Sequence, residues 1–118
     1  MIVNQKKIHK PWGYEIIWAN CNKFVGKILF IKCKEKLSRQ YHQIKEETII
    51  VLSGTLLLEI GQGDQIKQIS LKRGQSFHVK PRVIHRFIAA YGDVELAEVS
   101  TPELGDVIRL EDDYDRLE

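Results

Sequence analysis

Cysteine, proline and methionine are scarce in this 118-residue chain, which has two, three and one of them respectively, and no apolar run is long. Each shortage excludes something. Cys21 and Cys33 form no CxxC pair, so structural or incidental roles are expected for both. Cys33 sits in an alternating, strand-like run where a small apolar side chain fits. No segment approaches the roughly 20 apolar residues of a membrane helix, and the opening MIVNQKKIHKPWG has no signal-peptide core. A cytoplasmic protein with no membrane partner is expected. The formal charge is only +2, with Lys and Arg interleaved among Asp and Glu, so a nucleic-acid partner is not expected. Sustained 3.6-residue periodicity is also missing, which confines helix to short pieces near the ends.

What remains is strand and turn. The segments YEIIWA, KFVGKILFIKC, ETIIVLS, TLLLEIG, QIKQISL, SFHVK, HRFIAAY and VELAEVS are short and rich in β-branched or aromatic residues. Ser53-Gly54, Gly61-Gln62-Gly63-Asp64, Lys72-Arg73-Gly74 and Tyr91-Gly92-Asp93 separate them as hairpin turns. The pattern predicts an all-β sandwich or barrel, one domain over residues 1–118. The acidic end LEDDYDRLE, its tail taken as 111–118 after Leu110, reads as a solvated tail or last turn. A domain of this size buries roughly two-thirds of its unfolded surface and folds without a structural ion, so any metal it binds serves function.

One stretch, RQYHQIKEETIIVLSG, crowds polar groups against a buried-looking strand. Alternation from Lys36 to His42 puts Lys36, Ser38, Gln40 and His42 on one face, and pairing of the next strand would return Glu47 toward His42. His85, in KPRVIHRF beyond Pro81, is a fourth candidate if two hairpins face each other across a small barrel. Gln40, His42, Glu47 and His85 form a mixed N and O donor set without thiolate. Such a set suits Zn, Mn, Fe, Co or Ni and leaves coordination positions open.

The spacing from Lys34 through Gln40, His42 and Glu47 to Gly54 resembles the first cupin motif, with Lys34 in place of Gly and Gln40 in place of the first His. Gly74 through Lys80, Pro81, Arg82 and His85 to Ala89 resembles the second, departing from it at Lys80 and Arg82. More narrowly, KPWGYE, LSRQYHQIKEE and DVIRLEDDYDR are similar to the cupin domain of type II phosphomannose isomerases, from about Lys10 to Arg116. This resemblance implies a single-domain double-stranded β-helix (a jelly-roll barrel), with motif 1 at about 34–54 and motif 2 at about 74–89. It also implies a homodimer, and interconversion of mannose 6-phosphate and fructose 6-phosphate. The bifunctional members also carry a guanylyltransferase domain, for whose Gly-rich nucleotide loop these residues have no room.

In that chemistry a divalent ion held by Gln40, His42, Glu47 and His85 would stabilise an enediolate formed between C1 and C2. Lys45, at the motif's basic position, and Lys36, by its parity, are the candidate bases, each needing a lowered pKa. Arg86 follows His85 as in the family and is a candidate phosphate ligand, although parity turns it away from His85. Arg82 and Lys80 are alternative phosphate anchors, and His78 is a further candidate for the cavity. Two other functions fit the same residues: an iron-dependent cupin oxygenase, and a noncatalytic cupin that binds a sugar or another small ligand.

Overall fold

Branched and aromatic residues in alternation build strands that need a second layer to cover their apolar face, and this chain supplies both layers itself. The computed structural model describes residues 1–116. Its strands are β1 (Lys6–Lys10), β2 (Gly13–Asn20), β3 (Val25–Ile31), β4 (Arg39–Tyr41), β5 (Glu47–Ser53) and β6 (Leu56–Ile60). They continue as β7 (Lys67–Leu71), β8 (Ser76–Val79), β9 (His85–Ile88), β10 (Val94–Ser100) and β11 (Ile108–Glu111).

All pairings between these strands are antiparallel. One sheet runs β1-β2-β3-β10-β5-β8 and the other β11-β4-β9-β6-β7; the two remain separate and do not close into a continuous barrel. Leu29, Ile31, Ile49, Val51, Leu96 and Phe87 are buried between them. Each such side chain contributes about 1.5–3 kcal/mol through burial.

The eight expected strands are all present. β1 and β11 were not expected, because KKIHK and IRLE carry too much charge to show an alternating apolar face; partner strands supply their pairing. β4 is three residues long, shorter than the alternation drawn from Lys36 to His42. The helical content among the described residues is a 3-10 turn at Gly63–Gln65, inside the β6–β7 hairpin and not near an end. Cys33 does not fill a gap in a strand: it is exposed in the turn after β3, where its amide donates to Asp93 Oδ1 at 2.8 Å.

Two features of the KPWG opening fix the wall of the site. Trp12 is 3% exposed, and its carbonyl accepts the Lys32 amide at 2.9 Å. Gly13 lies so close to β3 that a Cβ there would stand 1.9 Å from the Phe30 carbonyl oxygen, which only glycine permits.

The acidic end is not a solvated tail. Glu111 and Asp113 lie 3.4 and 2.7 Å from the Arg86 guanidinium. Tyr114 packs on the core and donates its hydroxyl to Glu35, and burial together with that carboxylate pushes its pKa up to about 12. Leu117 and Glu118 of the expected tail lie outside the described residues.

Candidate metal centre

Each sheet delivers part of the polar cluster. Glu47 opens β5 in the six-stranded sheet, His85 opens β9 in the five-stranded sheet, and His42 follows β4. β5 pairs with β10 and β8, so the hairpin pairing expected to carry Glu47 back to His42 does not occur. The two sheets facing each other bring these residues together instead. One potential ligand atom from each of His42, Glu47 and His85 lies within 4.8 Å of the others, and all three residues are buried.

Backbone carbonyls set the orientation of both imidazoles. His42 Nδ1 stands 2.5 Å from the Asp106 carbonyl oxygen, and His85 Nδ1 stands 2.8 Å from that of Val83. A carbonyl only accepts, so each Nδ1 carries a proton, and the neutral form of each ring presents its lone pair at Nε2. Those Nε2 atoms point at Glu47, 3.8 Å from Oε2 for His42 and 3.6 Å from Oε1 for His85. His85 Nε2 is buried and has no hydrogen-bond partner. Lone pairs on two imidazoles converging with a carboxylate, one of them buried and unpartnered, are the donor set of a divalent cation, with backbone acceptors steadying the ligands from behind. Gln40 is the register partner of His85 and lines the same cavity as His42 and Glu47.

The charges around this trio are buried as well. Lys45 Nζ lies 3.0 Å from Glu47 and 3.2 Å from Glu98, at side-chain exposures of 7% or less. Burial disfavours the lysine charge, but Glu98 and Glu47 outweigh it and raise the Lys45 pKa above its ordinary value. Lys45 is therefore a fixed cation, not the lysine of lowered pKa expected for a base. Burial alone would raise the Glu47 carboxyl; His85, Lys45 and His42 hold it well below the usual range. Burial is the main cause of a lowered His42 pKa, which keeps that ring neutral and able to ligate. Glu98, in contrast, is pushed up to about 7 by burial and by the Glu47 charge.

A cavity of about 130 Å³ adjoins the trio, with Trp12, Leu29, Leu37 and Phe87 as apolar walls. The other expected site residues are not among its lining. Lys36 sits 3.3 Å from Asp113 at the surface. Arg86 donates from Nε to the Leu37 carbonyl at 2.8 Å and pairs with Asp113, so its guanidinium is already occupied on the side parity predicted. Lys80 and Arg82 are exposed, Arg82 at a left-handed φ of 68° in the turn before β9. His78 is the exposed register partner of Thr48, 2.7 Å from its hydroxyl and 2.5 Å from Glu46.

The cavity also holds charged residues that were not singled out from the sequence: Lys10, Glu15, Lys27, Glu98, Arg109 and Arg116. Parity could have revealed two of them. Lys27 shares its strand face with Val25, Leu29 and Ile31, and Glu98 shares its face with Val94 and Leu96. Asp106 carried no such signal, because it sits in the irregular connection before β11.

The family described as "Mannose-6-phosphate isomerase C-terminal" matches residues 2–118. This chain belongs to that family. Xanthan biosynthesis protein XanB of Xanthomonas campestris pv. campestris (strain B100) is 34% identical over 116 residues, covering 94% of this chain and 24% of XanB. The chain thus spans about a quarter of that relative. Among solved structures, the capsular polysaccharide assembling protein CapF from Staphylococcus aureus aligns with a TM-score of 0.78 at 13% identity, over 92% of this chain and 34% of CapF. A conserved protein with a double-stranded β-helix domain from Klebsiella pneumoniae aligns with a TM-score of 0.70 at 18% identity, over 92% of this chain and 88% of that one. At these identities the structures speak to the fold, a double-stranded β-helix cupin. Among the described residues, no helix is long and apolar enough to cross a membrane.

Proposed function

We propose that this protein is a metal-dependent sugar-phosphate isomerase that interconverts mannose 6-phosphate and fructose 6-phosphate in the cytoplasm. The observation that carries the reading is the buried convergence of His42 Nε2, His85 Nε2 and the Glu47 carboxylate beside an open cavity. Family membership supports the substrate class. Gln40 is the fourth candidate ligand. A divalent ion held there would act as a Lewis acid toward the C1 and C2 oxygens of the open-chain sugar, stabilising enediolate charge by several kcal/mol.

The chain's own residues do the rest. Lys45 supplies a fixed positive charge behind Glu47. Glu98, whose carboxyl is pushed up to about 7, lines the cavity and is the residue of this reading that carries the proton between C1 and C2. Trp12, Leu37 and Phe87 keep water off that face. A homodimer is part of the reading: Ile16, Ile28, Ala97 and Ile50 form one row across the outer face of the six-stranded sheet, flanked by exposed Trp18 and Val99.

Proton NMR of mannose 6-phosphate in deuterated water, with protein loaded in turn with Zn, Mn, Fe, Co and Ni, tests the activity. Fructose 6-phosphate formation or deuterium entry at C2 is expected with at least one ion. Neither signal with any ion rules the reading out, and oxygen consumption with the iron form would replace it with an oxygenase.

A further inference from the structure

A sugar phosphate has two ends, and the metal centre accounts for one. The residues expected to hold the phosphate are spoken for or remote: Arg86 is buried in ion pairs, and Arg82 and Lys80 are exposed and absent from the cavity lining. The cavity nevertheless contains other cations.

Arg109 stands out by register. It is the partner of Gln40 across β11 and β4, and Gln40 is the partner of His85 across β4 and β9. Directly opposed residues project to the same side of a sheet, so Arg109, Gln40 and His85 form one row, of which Arg109 and Gln40 line the cavity and His85 belongs to the adjoining metal trio. Two strand spacings, about 10 Å, separate the backbone of Arg109 from that of His85. An acyclic six-carbon phosphate can bridge that gap, with its carbonyl end at His85 and its phosphate at Arg109.

Arg109 also stands out by charge. Arg116 is clamped by both oxygens of Asp112, at 2.9 and 3.0 Å, and Lys10 and Lys27 share Glu15 at 3.8 and 3.3 Å. Among the described residues, no ion pair holds Arg109. Space lies beside it: Arg109, Arg116 and Val107 border the main cavity and also a second one of about 200 Å³.

We propose that Arg109 anchors the phosphate monoester of the substrate and so makes the site select a sugar phosphate over the free sugar. The planar fork of a guanidinium matches two oxygens of a phosphate, and Arg109, held in no ion pair among the described residues, has none to break on binding one. This inference rests on the sugar-phosphate reading above and adds to it the residue that recognises the phosphate.

Titration calorimetry on the metal-loaded protein with mannose 6-phosphate, mannose and inorganic phosphate tests it. The wild type should bind mannose 6-phosphate about tenfold or more tighter than mannose, the scale of a hydrogen bond to a charged group. In Arg109→Met that preference should fall to within about twofold, with mannose affinity and metal content unchanged. Arg109→Lys, which keeps the charge and loses the fork, should fall between, and it carries the test if the Met variant does not fold. A full preference retained in either variant, or no preference in the wild type, overturns the anchor. The two readings fail separately. An Arg109-dependent preference without isomerisation sinks the isomerase and leaves the anchor; isomerisation with an unaltered KM in Arg109→Met does the reverse.

Discussion

His42 and His85 stand with ring centroids 5.3 Å apart and address opposite oxygens of the Glu47 carboxylate. Neither ring is held there by the other. His42 hangs on the Asp106 carbonyl and His85 on that of Val83, so both ligands are positioned by the scaffold before any ion arrives.

Preorganisation predicts that metal affinity can be lost while the fold survives. His42→Ala and Glu47→Gln should each lower affinity for Zn or Mn by about tenfold to a hundredfold or more, taking the loss of an outer-shell partner as the floor. The circular dichroism spectrum should keep its β signature, because the apolar residues between the sheets do not depend on the ion. Elemental analysis after dialysis against a metal buffer measures this. Wild-type metal content in both variants would remove them from the ligand set.

Lys45 supports a second prediction. Its ammonium neutralises Glu47 and Glu98 at side-chain exposures of 7% or less, so Lys45→Met leaves two buried carboxylates without their shared cation. Breaking a buried pair by deleting one partner costs about 3–5 kcal/mol. Urea denaturation of the metal-free protein should show a loss of that size. Lys45→Met/Glu98→Gln should be less destabilised than the sum of its single changes, with a coupling of about 0.5–3 kcal/mol. Strict additivity would mean that Lys45 and Glu98 do not share an electrostatic site.

How far the sequence discloses this site depends on how each residue is carried. Tyr14 to Ala19, Glu47 to Ser53 and Val94 to Ser100 are legible as strands because branched residues alternate within a few positions. His42, Glu47 and His85 are legible because their spacing follows the two cupin motifs. Arg109 and Asp106 are not, since what matters about them is an encounter across more than sixty residues: Asp106 lies 64 positions from His42. Such encounters are fixed by register between β11 and β4, and no local propensity encodes that register. Lys27 and Glu98 are intermediate. Strand parity places them inward, but charged residues are so rarely buried that the parity signal is easily set aside.

Asp106 supports a prediction about pH. Its carboxylate accepts the amides of Gln43, Ile44 and Lys45 at 3.1, 2.7 and 2.9 Å, and those amides, Lys45 and Ile44 foremost, hold its pKa below the ordinary value. A depressed carboxyl contributes stability that is present above its unfolded pKa, about 3.9, and lost as pH falls through the lower folded value. Asp106→Asn has no such proton to take up. The wild type should therefore be more stable than Asp106→Asn at pH 7, and the gap should narrow below pH about 4. Urea midpoints at pH 7 and pH 3 report it, and a gap that does not change with pH would show that the carboxylate charge is irrelevant to the turn.

Arg86 governs the last prediction, through the strand that carries Arg109. Its side chain is 5% exposed, and its guanidinium spans the Leu37 carbonyl, Glu111 and Asp113, so it ties the end of β11 to the loop before β4. Arg39 adds a second tie, pairing with Glu59 at 2.7 Å and with Glu111 at 3.3 Å. β11 pairs with a single strand and is an edge, so without these arginines little beyond β4 would hold it. Arg86→Met should increase local opening of β11 while leaving the six-stranded sheet intact. Hydrogen exchange measures the difference: amides of Ile108 to Glu111 should exchange about tenfold or more faster, the factor that loss of one charged hydrogen bond predicts. Amides of β3 and β10 should keep wild-type protection. Uniform acceleration across both sheets would show instead that Arg86 supports global stability, and unchanged exchange in β11 would show that β4 alone holds the strand.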